Sequence, residues 1–202
     1  MILWYVARAA GLVAVIAFTA ATALGALASS RTSRPSDARS LDARFLRQMA
    51  HRSSAVVGLG ALALHVILLI LDAYVDVSIT GALIPFTSGY RPLALGLGTI
   101  SVALFVIVAL SGALRGRLAT SAAAARLWRR VHLVAYVGWG LAMTHGVLAG
   151  TDSGATWTTA IYVVCGLSVA VAFATRLVSA RRDRTRPLAI TRSSPELVRS
   201  IR

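Results

Sequence analysis

Residues 51–71 read HRSSAVVGLGALALHVILLIL, and this stretch decides the fold class. From Ser54 to Leu71 it contains no Asp, Glu, Lys or Arg. As a helix, such a run is long enough to cross the roughly 30 Å hydrocarbon core of a bilayer. His51 stands just before the apolar run and His65 lies inside it. The stretch therefore predicts a membrane-spanning helix that carries two histidines.

The whole chain has the composition of a membrane protein. Of its 202 residues, 57% are hydrophobic and 14% are charged, which is too apolar for a water-soluble domain. We expect an all-α integral membrane helical bundle, with residues 1–178 as the transmembrane domain and residues 179–202 as a basic, flexible cytoplasmic tail. Five stretches are each long enough to span the bilayer, at about residues 9–28, 54–71, 93–114, 131–150 and 155–175.

All 21 basic residues are arginine, and they are distributed unevenly between the two sides of the predicted bundle. One side collects 19 arginines and four acidic residues, and the other has two arginines and three acidic residues. Because short cytoplasmic loops retain positive charge, we expect a multi-pass plasma-membrane protein with its amino terminus outside and its carboxyl terminus in the cytoplasm. The arginines cluster between long apolar runs, which argues against nucleic-acid binding.

A cleaved signal peptide is the alternative interpretation of residues 1–28. The triplet Ala26-Leu27-Ala28 resembles a small-residue cleavage site. Cleavage and export would place the arginines between Arg31 and Arg52 outside, against the charge rule that orients the other loops. We therefore expect residues 1–28 to be retained as the first transmembrane helix.

The chemistry of the chain depends on its four histidines. His51 and His65 fall at or near the ends of the second span, and His132 and His145 at or near the ends of the fourth. Histidine is costly inside a membrane and usually faces the protein interior for a functional reason. A hydrogen-bonded imidazole in the core would explain one such residue. Four histidines arranged in two pairs instead favour a role as metal ligands. The single cysteine, Cys165, provides neither a disulfide nor a thiolate cluster.

The histidine spacing indicates two facing pairs at two depths. His51 and His65 are 14 residues apart, which on an α-helix is about 21 Å of rise and about 40° short of four whole turns. Both histidine helices are expected to run from inside to outside, so His51 would face His132 and His65 would face His145. Two imidazoles across a bundle suit the axial positions of a haem iron, whereas zinc would need four protein ligands.

The second histidine pair is out of register on an ideal helix. His132 and His145 are 13 residues apart, which leaves their rings about 140° apart in rotation. We expect a kink or a locally overwound turn at Gly138 and Gly140, which lie between them. Alternatively, the two rings reach their irons from different sides of the helix.

Residues 128–146 read WRRVHLVAYVGWGLAMTHG. Together with paired histidines 14 and 13 residues apart on two parallel helices, this run resembles the ferric reductase-like transmembrane domain. That superfamily includes NADPH oxidases, ferric reductases and the haem-binding membrane subunit of bacterial methionine sulfoxide reductase. The resemblance covers about residues 45–175 and is strongest around His132 and His145.

The resemblance implies two stacked b-type haems that pass electrons across the membrane. By analogy, His51 and His132 would ligate the inner haem iron, and His65 and His145 the outer one. The chain departs from the superfamily in two respects, since six spans are usual there and no flavin or nicotinamide domain follows the last helix here. We therefore expect an electron-transfer subunit of an oxidoreductase, set in membrane lipid, whose donor is a separate flavoprotein or a membrane quinol.

Several residues near the histidines are weaker candidates for haem contacts. Arg52, Arg129 and Arg130 flank the inner histidines and are placed to pair with haem propionates, although cytoplasmic anchoring explains them as well. Arg91 lies on the outer side, where positive charge is scarce, and is a third candidate. Gly58 and Gly60 lie between His51 and His65, where a missing side chain would admit a porphyrin edge or allow close helix contact.

Two other functions fit the same sequence. One is a haem-bearing membrane anchor that recruits a quinone or a partner oxidoreductase without passing electrons across the membrane. The other is a haem-free scaffold or transporter whose histidines form hydrogen bonds between helices. A visible spectrum with haem quantified per chain discriminates between these classes.

Overall fold

The structure is a computed structural model that describes residues 2–28, 38–72 and 77–185, with side chains described as far as Arg181. Within these ranges the secondary structure is helical and contains no strand. The helices are α1 (Ile2–Ala28), α2 (Ala38–Leu71), α3 (Ile79–Leu83), α4 (Pro92–Ala113), α5 (Arg115–Leu118), α6 (Ala122–His132), α7 (Val134–Ala149) and α8 (Thr156–Thr185).

Five helical segments of the described chain are long and apolar enough to cross a membrane. They are α1, α2, α4, the combined α6 and α7, and α8 as far as Arg181. The all-helical, five-span prediction is confirmed at this level. The tail boundary predicted at residue 178 stays a prediction, and α8 continues past it to Thr185. The rest of the predicted tail lies outside the described residues.

Local sequence explains where several helices begin and end. Pro92 occupies the first turn of α4, where its missing N–H costs no helical hydrogen bond. The Ser121 side chain accepts a hydrogen bond from the Ala124 backbone N–H and so caps the start of α6. At the carboxyl end of α1, the Arg47 guanidinium donates to the Leu27 carbonyl at 3.2 Å.

The helices that carry the histidines belong to two antiparallel pairs. α1 packs along α2, and α4 packs along α7, with α6 meeting the end of α4. α1 also contacts α7, and α2 contacts α4, so the four form a closed ring in the order α1, α2, α4, α7. α8 lies outside this ring against α1. The two histidine helices, α2 and α6–α7, therefore lie diagonally across the bundle.

Helix α1 supplies most of the buried apolar side chains among the described residues. Ala7, Ala10, Ala14, Phe18 and Ala21 are all buried on it, because α1 is flanked by α2, α7 and α8. Small side chains permit this close packing between membrane helices. Helix α1 is therefore an integral part of the described bundle.

The outer helix faces are apolar where a bilayer would contact them. On α2 the side chains of Val56, Leu64 and Ile67 are exposed, and on α8 those of Val164 and Leu167 are exposed. Apolar surface of this extent would be unstable in water and is expected in lipid.

One residue pattern occurs in both antiparallel helix pairs. On α1 and α4 a phenylalanine stands seven residues from a glycine on either side, and each α4 residue follows its α1 counterpart by 87 positions. Seven residues are about two helical turns, so the three residues of each helix share one face. The two sets are Gly11, Phe18 and Gly25 on α1, and Gly98, Phe105 and Gly112 on α4.

The break in the second histidine helix lies at Leu133, between α6 and α7. The backbone N–H of Tyr136 donates to the Leu133 carbonyl at 3.1 Å, a tight i to i−3 bond. A tighter turn adds rotation per residue, in the direction that a 13-residue spacing needs. The expected position of the distortion was wrong, because Gly138 and Gly140 lie inside the continuous helix α7.

Candidate functional site

The four histidine rings meet as two pairs at two levels of the bundle. The ring centroids of His51 and His132 are 6.2 Å apart with planes 62° apart. Those of His65 and His145 are 6.4 Å apart with planes 76° apart. These are the same partners that the spacing paired. We name them the inner pair (His51, His132) and the outer pair (His65, His145), after the predicted orientation.

The separation within each pair matches the geometry of two imidazoles on one metal ion. With a metal–nitrogen bond of about 2.0 to 2.1 Å on each side, the centroids of two opposed imidazoles lie roughly 6 to 6.5 Å apart. Both observed separations fall in this range. The centroid separation of each pair is therefore compatible with one metal ion bound between its two rings.

Three of the four rings are fixed by a hydrogen bond from Nδ1 to a backbone carbonyl. A carbonyl only accepts, so Nδ1 carries the proton and Nε2 keeps its lone pair for a metal ion. A second hydrogen bond of this kind is usual for metal-binding histidines and fixes their orientation. The bonds are His51 to Ala21 O at 2.8 Å, His65 to Ala7 O at 2.7 Å, and His145 to Ala94 O at 2.7 Å.

His132 differs from the other three histidines. Its Nδ1 lies 3.4 Å from the Ser111 hydroxyl oxygen. That hydroxyl donates to the Val108 carbonyl at 2.8 Å, so it is left with acceptor capacity for His132. Val108 stands four residues before Gly112, as Ala94 does before Gly98. The Ser111 hydroxyl therefore stands between His132 and the Val108 carbonyl, whereas the other three histidines bind the corresponding carbonyl directly.

Each histidine ring also faces a glycine on the neighbouring helix. A Cβ atom at Gly98 would lie 2.7 Å from His145 Nδ1, and one at Gly11 would lie 2.9 Å from His65 Nδ1. At the inner pair the clearances are larger, at 3.3 Å from Gly25 to His51 Cε1 and 3.7 Å from Gly112 to His132 Cε1. The outer rings therefore fit only because these two positions lack side chains. The sequence analysis missed these four glycines. The 14-residue spacing between the two glycines of each helix, equal to that of His51 and His65, was a visible signal.

The layer between the two pairs is filled by aromatic rings. Phe18 and Phe105 stack there, and a Cβ atom at Gly58 would meet the Phe18 ring at 3.0 Å. Gly58 thus serves a close helix contact, which was one of its two expected roles. Gly60 faces open space, with no atom within 4 Å of a Cβ built there. The Trp139 Nε1–H donates to the Thr19 hydroxyl at 2.9 Å and ties α7 to α1 at the same level.

A cavity of about 370 Å³ surrounds the outer pair and extends towards the end of the bundle. This volume lies in the range of sites for cofactors and small molecules. Arg8 and Asp152 form an ion pair on its wall. The Thr158 hydroxyl, on a residue that is 7% exposed, also lines the cavity and has no hydrogen-bond partner among the described residues. The outer pair therefore has both space and polar groups beside it.

The arginines that the sequence singled out occupy different surroundings. Arg91, with φ of 40°, donates to the Leu148 carbonyl at 2.8 Å and so caps the end of α7. Arg52 and Arg129 are exposed beside the inner pair. Arg8, which sequence reasoning did not single out, is the arginine that lines the outer cavity.

The donor set suits a group that brings its own equatorial ligands. Within the described ranges, no three His, Cys, Asp or Glu side chains gather closely enough to hold a metal ion. Cys165 is buried on α8 as a free thiol. Each level thus offers two opposed imidazoles, which fits the axial positions of a haem and not the four-ligand tetrahedron of zinc.

Comparisons with protein-family models, with curated proteins and with solved structures found no match. The functional interpretation of the chain therefore depends on the geometry of its own residues.

Proposed function

We propose that this chain is a di-haem b-type membrane cytochrome, similar to the ferric reductase-like domain, that transfers electrons across the membrane between a separate donor and acceptor. The observation that carries the proposal is the presence of two histidine pairs with ring centroids 6.2 and 6.4 Å apart. His51 and His132 would hold the inner haem, and His65 and His145 the outer haem. When bound, each haem supplies a one-electron iron couple.

The chain contributes fixed ligands in an apolar interior. The carbonyls of Ala7, Ala21 and Ala94 orient three imidazoles before any iron arrives, so little conformational freedom is lost on binding. Hydrogen bonds to these rings and a low-polarity surrounding are two of the means by which proteins set haem potentials. Aromatic rings stack between the pairs, and the buried hydroxyls of Thr19 and Ser101 in this layer are hydrogen bonded.

The depth of the two pairs supports transfer from one membrane face to the other. The 14-residue spacing of His51 and His65 separates the levels by about 21 Å along α2, which is most of the hydrocarbon thickness of about 30 Å. One centre would therefore lie near each face. With the arginine-rich side in the cytoplasm of a plasma-membrane protein, the inner pair is the cytoplasmic one.

The electron donor is expected to be a separate flavoprotein or a membrane quinol. No strand occurs in the described residues, so they contain no strand, glycine-rich turn and helix unit for a nicotinamide cofactor. The exposed arginines beside the inner pair, Arg52 and Arg129 among them, would attract an acidic partner as well as anionic lipid.

The test is a dithionite-reduced minus oxidised visible spectrum of the purified protein, with haem quantified per chain. We expect two low-spin, bis-histidine haems per chain. His65→Ala or His145→Ala should remove the outer haem and spare the inner, and His51→Ala or His132→Ala should do the reverse. The matched control is Leu64→Ala, whose side chain is exposed next to His65 in sequence and does not line the outer cavity, and whose loss should leave both haems in place.

Transfer across the membrane is tested in vesicles that contain trapped ferricyanide and receive dithionite outside. The wild type should reduce the trapped ferricyanide, and the variants that lack one haem should not. A purified chain without haem would instead favour the scaffold or transporter function. Two haems without transmembrane transfer would favour the anchor, and one haem that survives the loss of either outer histidine would refute the pairing.

A further inference from the structure

The two histidine pairs differ in how strongly their rings are hydrogen bonded. Both rings of the outer pair donate to carbonyls at 2.7 Å. In the inner pair, His51 donates to a carbonyl at 2.8 Å, whereas His132 reaches only a hydroxyl at 3.4 Å. A hydroxyl oxygen at this distance is a much weaker acceptor than a carbonyl at ordinary hydrogen-bonding distance. His132 is therefore the least polarised of the four imidazoles.

A second asymmetry surrounds the same ring. The indole of Trp128 stacks on His132, with centroids 5.1 Å apart and planes 22° from parallel. The indole is held in place by its Nε1–H, which donates to the Ser111 carbonyl at 2.8 Å. On Trp128 lies the guanidinium of Arg115, 4.9 Å from the ring centroid. A permanent positive charge thus lies within about 10 Å of the His132 ring and contacts Trp128 by a cation–π interaction.

Among the described residues near the outer cavity, no unpaired positive charge corresponds to Arg115 at the inner pair. Arg8, the arginine on the cavity wall, is paired with Asp152, so its charge is balanced there. Arg91 is bound to the carbonyls at the end of α7, which carry partial negative charge. The fixed electrostatic field is therefore more positive at the inner pair than at the outer pair.

Both asymmetries act on a bound metal ion in the same direction. A strong hydrogen bond from Nδ1–H makes an imidazole a better electron donor and favours the higher oxidation state of its metal. A nearby cation disfavours that state, because it carries one more positive charge. A weaker hydrogen bond at His132 and a fixed cation above Trp128 therefore both favour the reduced inner centre.

On the basis of the proposed function, we propose that Ser111, Trp128 and Arg115 raise the reduction potential of the inner centre above that of the outer centre. Ser111 and Trp128 contact the ligand His132, whereas Arg115 acts through Trp128, and all three are positioning residues. A single electron shared between the two centres would reside mainly on the inner one.

The experiment measures midpoint potentials in variants that keep one haem each. His65→Ala isolates the inner haem and His51→Ala the outer haem, so each potential is assigned without overlap. We expect the inner potential to be the higher. In the His65→Ala protein, Arg115→Gln should lower the one-electron equilibrium constant for reduction about threefold to tenfold, or roughly 30 to 60 mV. In the His51→Ala protein the same change should have no measurable effect.

Arg117→Gln is the matched control, because Arg117 lies on the same short helix α5 and is exposed. It removes the same charge without a cation–π contact at Trp128 and should shift the inner potential by less than twofold. Trp128→Leu should lower the inner potential as Arg115→Gln does, and Trp128→Phe, which keeps a ring on His132, should lower it less. An unchanged haem absorbance in these variants shows that the fold is retained.

Two results would overturn the inference while leaving the proposed function intact. One is two bound haems with the inner potential at or below the outer one. The other is equal shifts from Arg115→Gln and Arg117→Gln, which would mean that only the overall charge of the inner loops matters. Absence of haem from the wild type would instead refute the proposed function itself.

Discussion

Phe18 and Phe105 stack face to face at the centre of the bundle, with ring centroids 3.9 Å apart and planes 9° from parallel. Each stands seven residues from the two glycines of its own helix that face histidines. The stack therefore lies midway between the inner and outer pairs, on the diagonal that the histidine helices do not occupy. It fills the space between the two histidine levels.

Loss of either ring should destabilise the bundle without removing a haem. Phe18→Leu and Phe105→Leu are each expected to cost about 1 to 3 kcal/mol, because both side chains are buried. The double variant should show a coupling of about 0.5 to 1.5 kcal/mol, the usual size for an aromatic pair. Thermal unfolding in detergent measures this. Phe45→Leu, at an exposed position on α2, is the control, and additive effects of the two core substitutions would contradict a coupled stack.

The glycines opposite the outer pair should be intolerant of a single methyl group. Gly98→Ala would place a Cβ 2.7 Å from His145 Nδ1, which forces the ring off its bond to Ala94. We expect loss of most outer-haem absorbance with the inner haem retained. Gly112→Ala, with 3.7 Å to His132, and Gly60→Ala, which faces open space, should both keep two haems. Full outer-haem content in Gly98→Ala would show that the ring has another stable position.

The sequence predicted the spans and the histidine partners because both depend on periodicity along single helices. Apolar length identifies a membrane helix regardless of its neighbours, and a 14-residue spacing fixes one face of α2. The five spans follow from the first property. The meeting of His51 with His132, and of His65 with His145, follows from the second together with the parallel direction of the two helices.

What the sequence did not indicate depends on contacts between helices. Gly11 and Gly98 look like ordinary small residues until the opposing ring is known. The distortion at Leu133 was expected at glycines, yet the helix tightens directly after His132, where α6 meets the end of α4. Arg91 was singled out for its rarity on the outer side, but its backbone conformation directs it to the end of α7.

The ion pair between Arg8 and Asp152 joins α1 to the segment between α7 and α8, and its two members should respond unequally to substitution. Arg8 also lies 6.0 Å from the Trp4 ring and 5.9 Å from the Tyr5 ring, so it keeps favourable contacts when Asp152 is neutralised. Asp152→Asn should therefore cost less than about 1 kcal/mol. Arg8→Gln leaves a partly buried carboxylate unpaired and should cost about 1 to 2 kcal/mol.

The double variant Arg8→Gln with Asp152→Asn discriminates a true pair from two independent side chains. Because it leaves no unpaired charge, it should be more stable than Arg8→Gln alone. Thermal unfolding of all four proteins in the same detergent provides the comparison. A double variant less stable than either single one would mean that each side chain stabilises the fold through other neighbours.

The orientation of the bundle is testable with single cysteines in intact cells. Cys165→Ala removes the native thiol, which is buried and free, and serves as the unlabelled control. Gly89→Cys lies in the loop between α3 and α4, and Thr120→Cys lies between α5 and α6; both positions are exposed. The charge rule predicts that the arginine-rich loops are cytoplasmic, so a membrane-impermeant thiol reagent should label Gly89→Cys in intact cells. It should label Thr120→Cys only after permeabilisation, and a reporter fused after Arg202 should read as cytoplasmic. The reverse labelling would mean that arginine placement does not orient this chain, and the pair His51 and His132 would then be the one near the outer face.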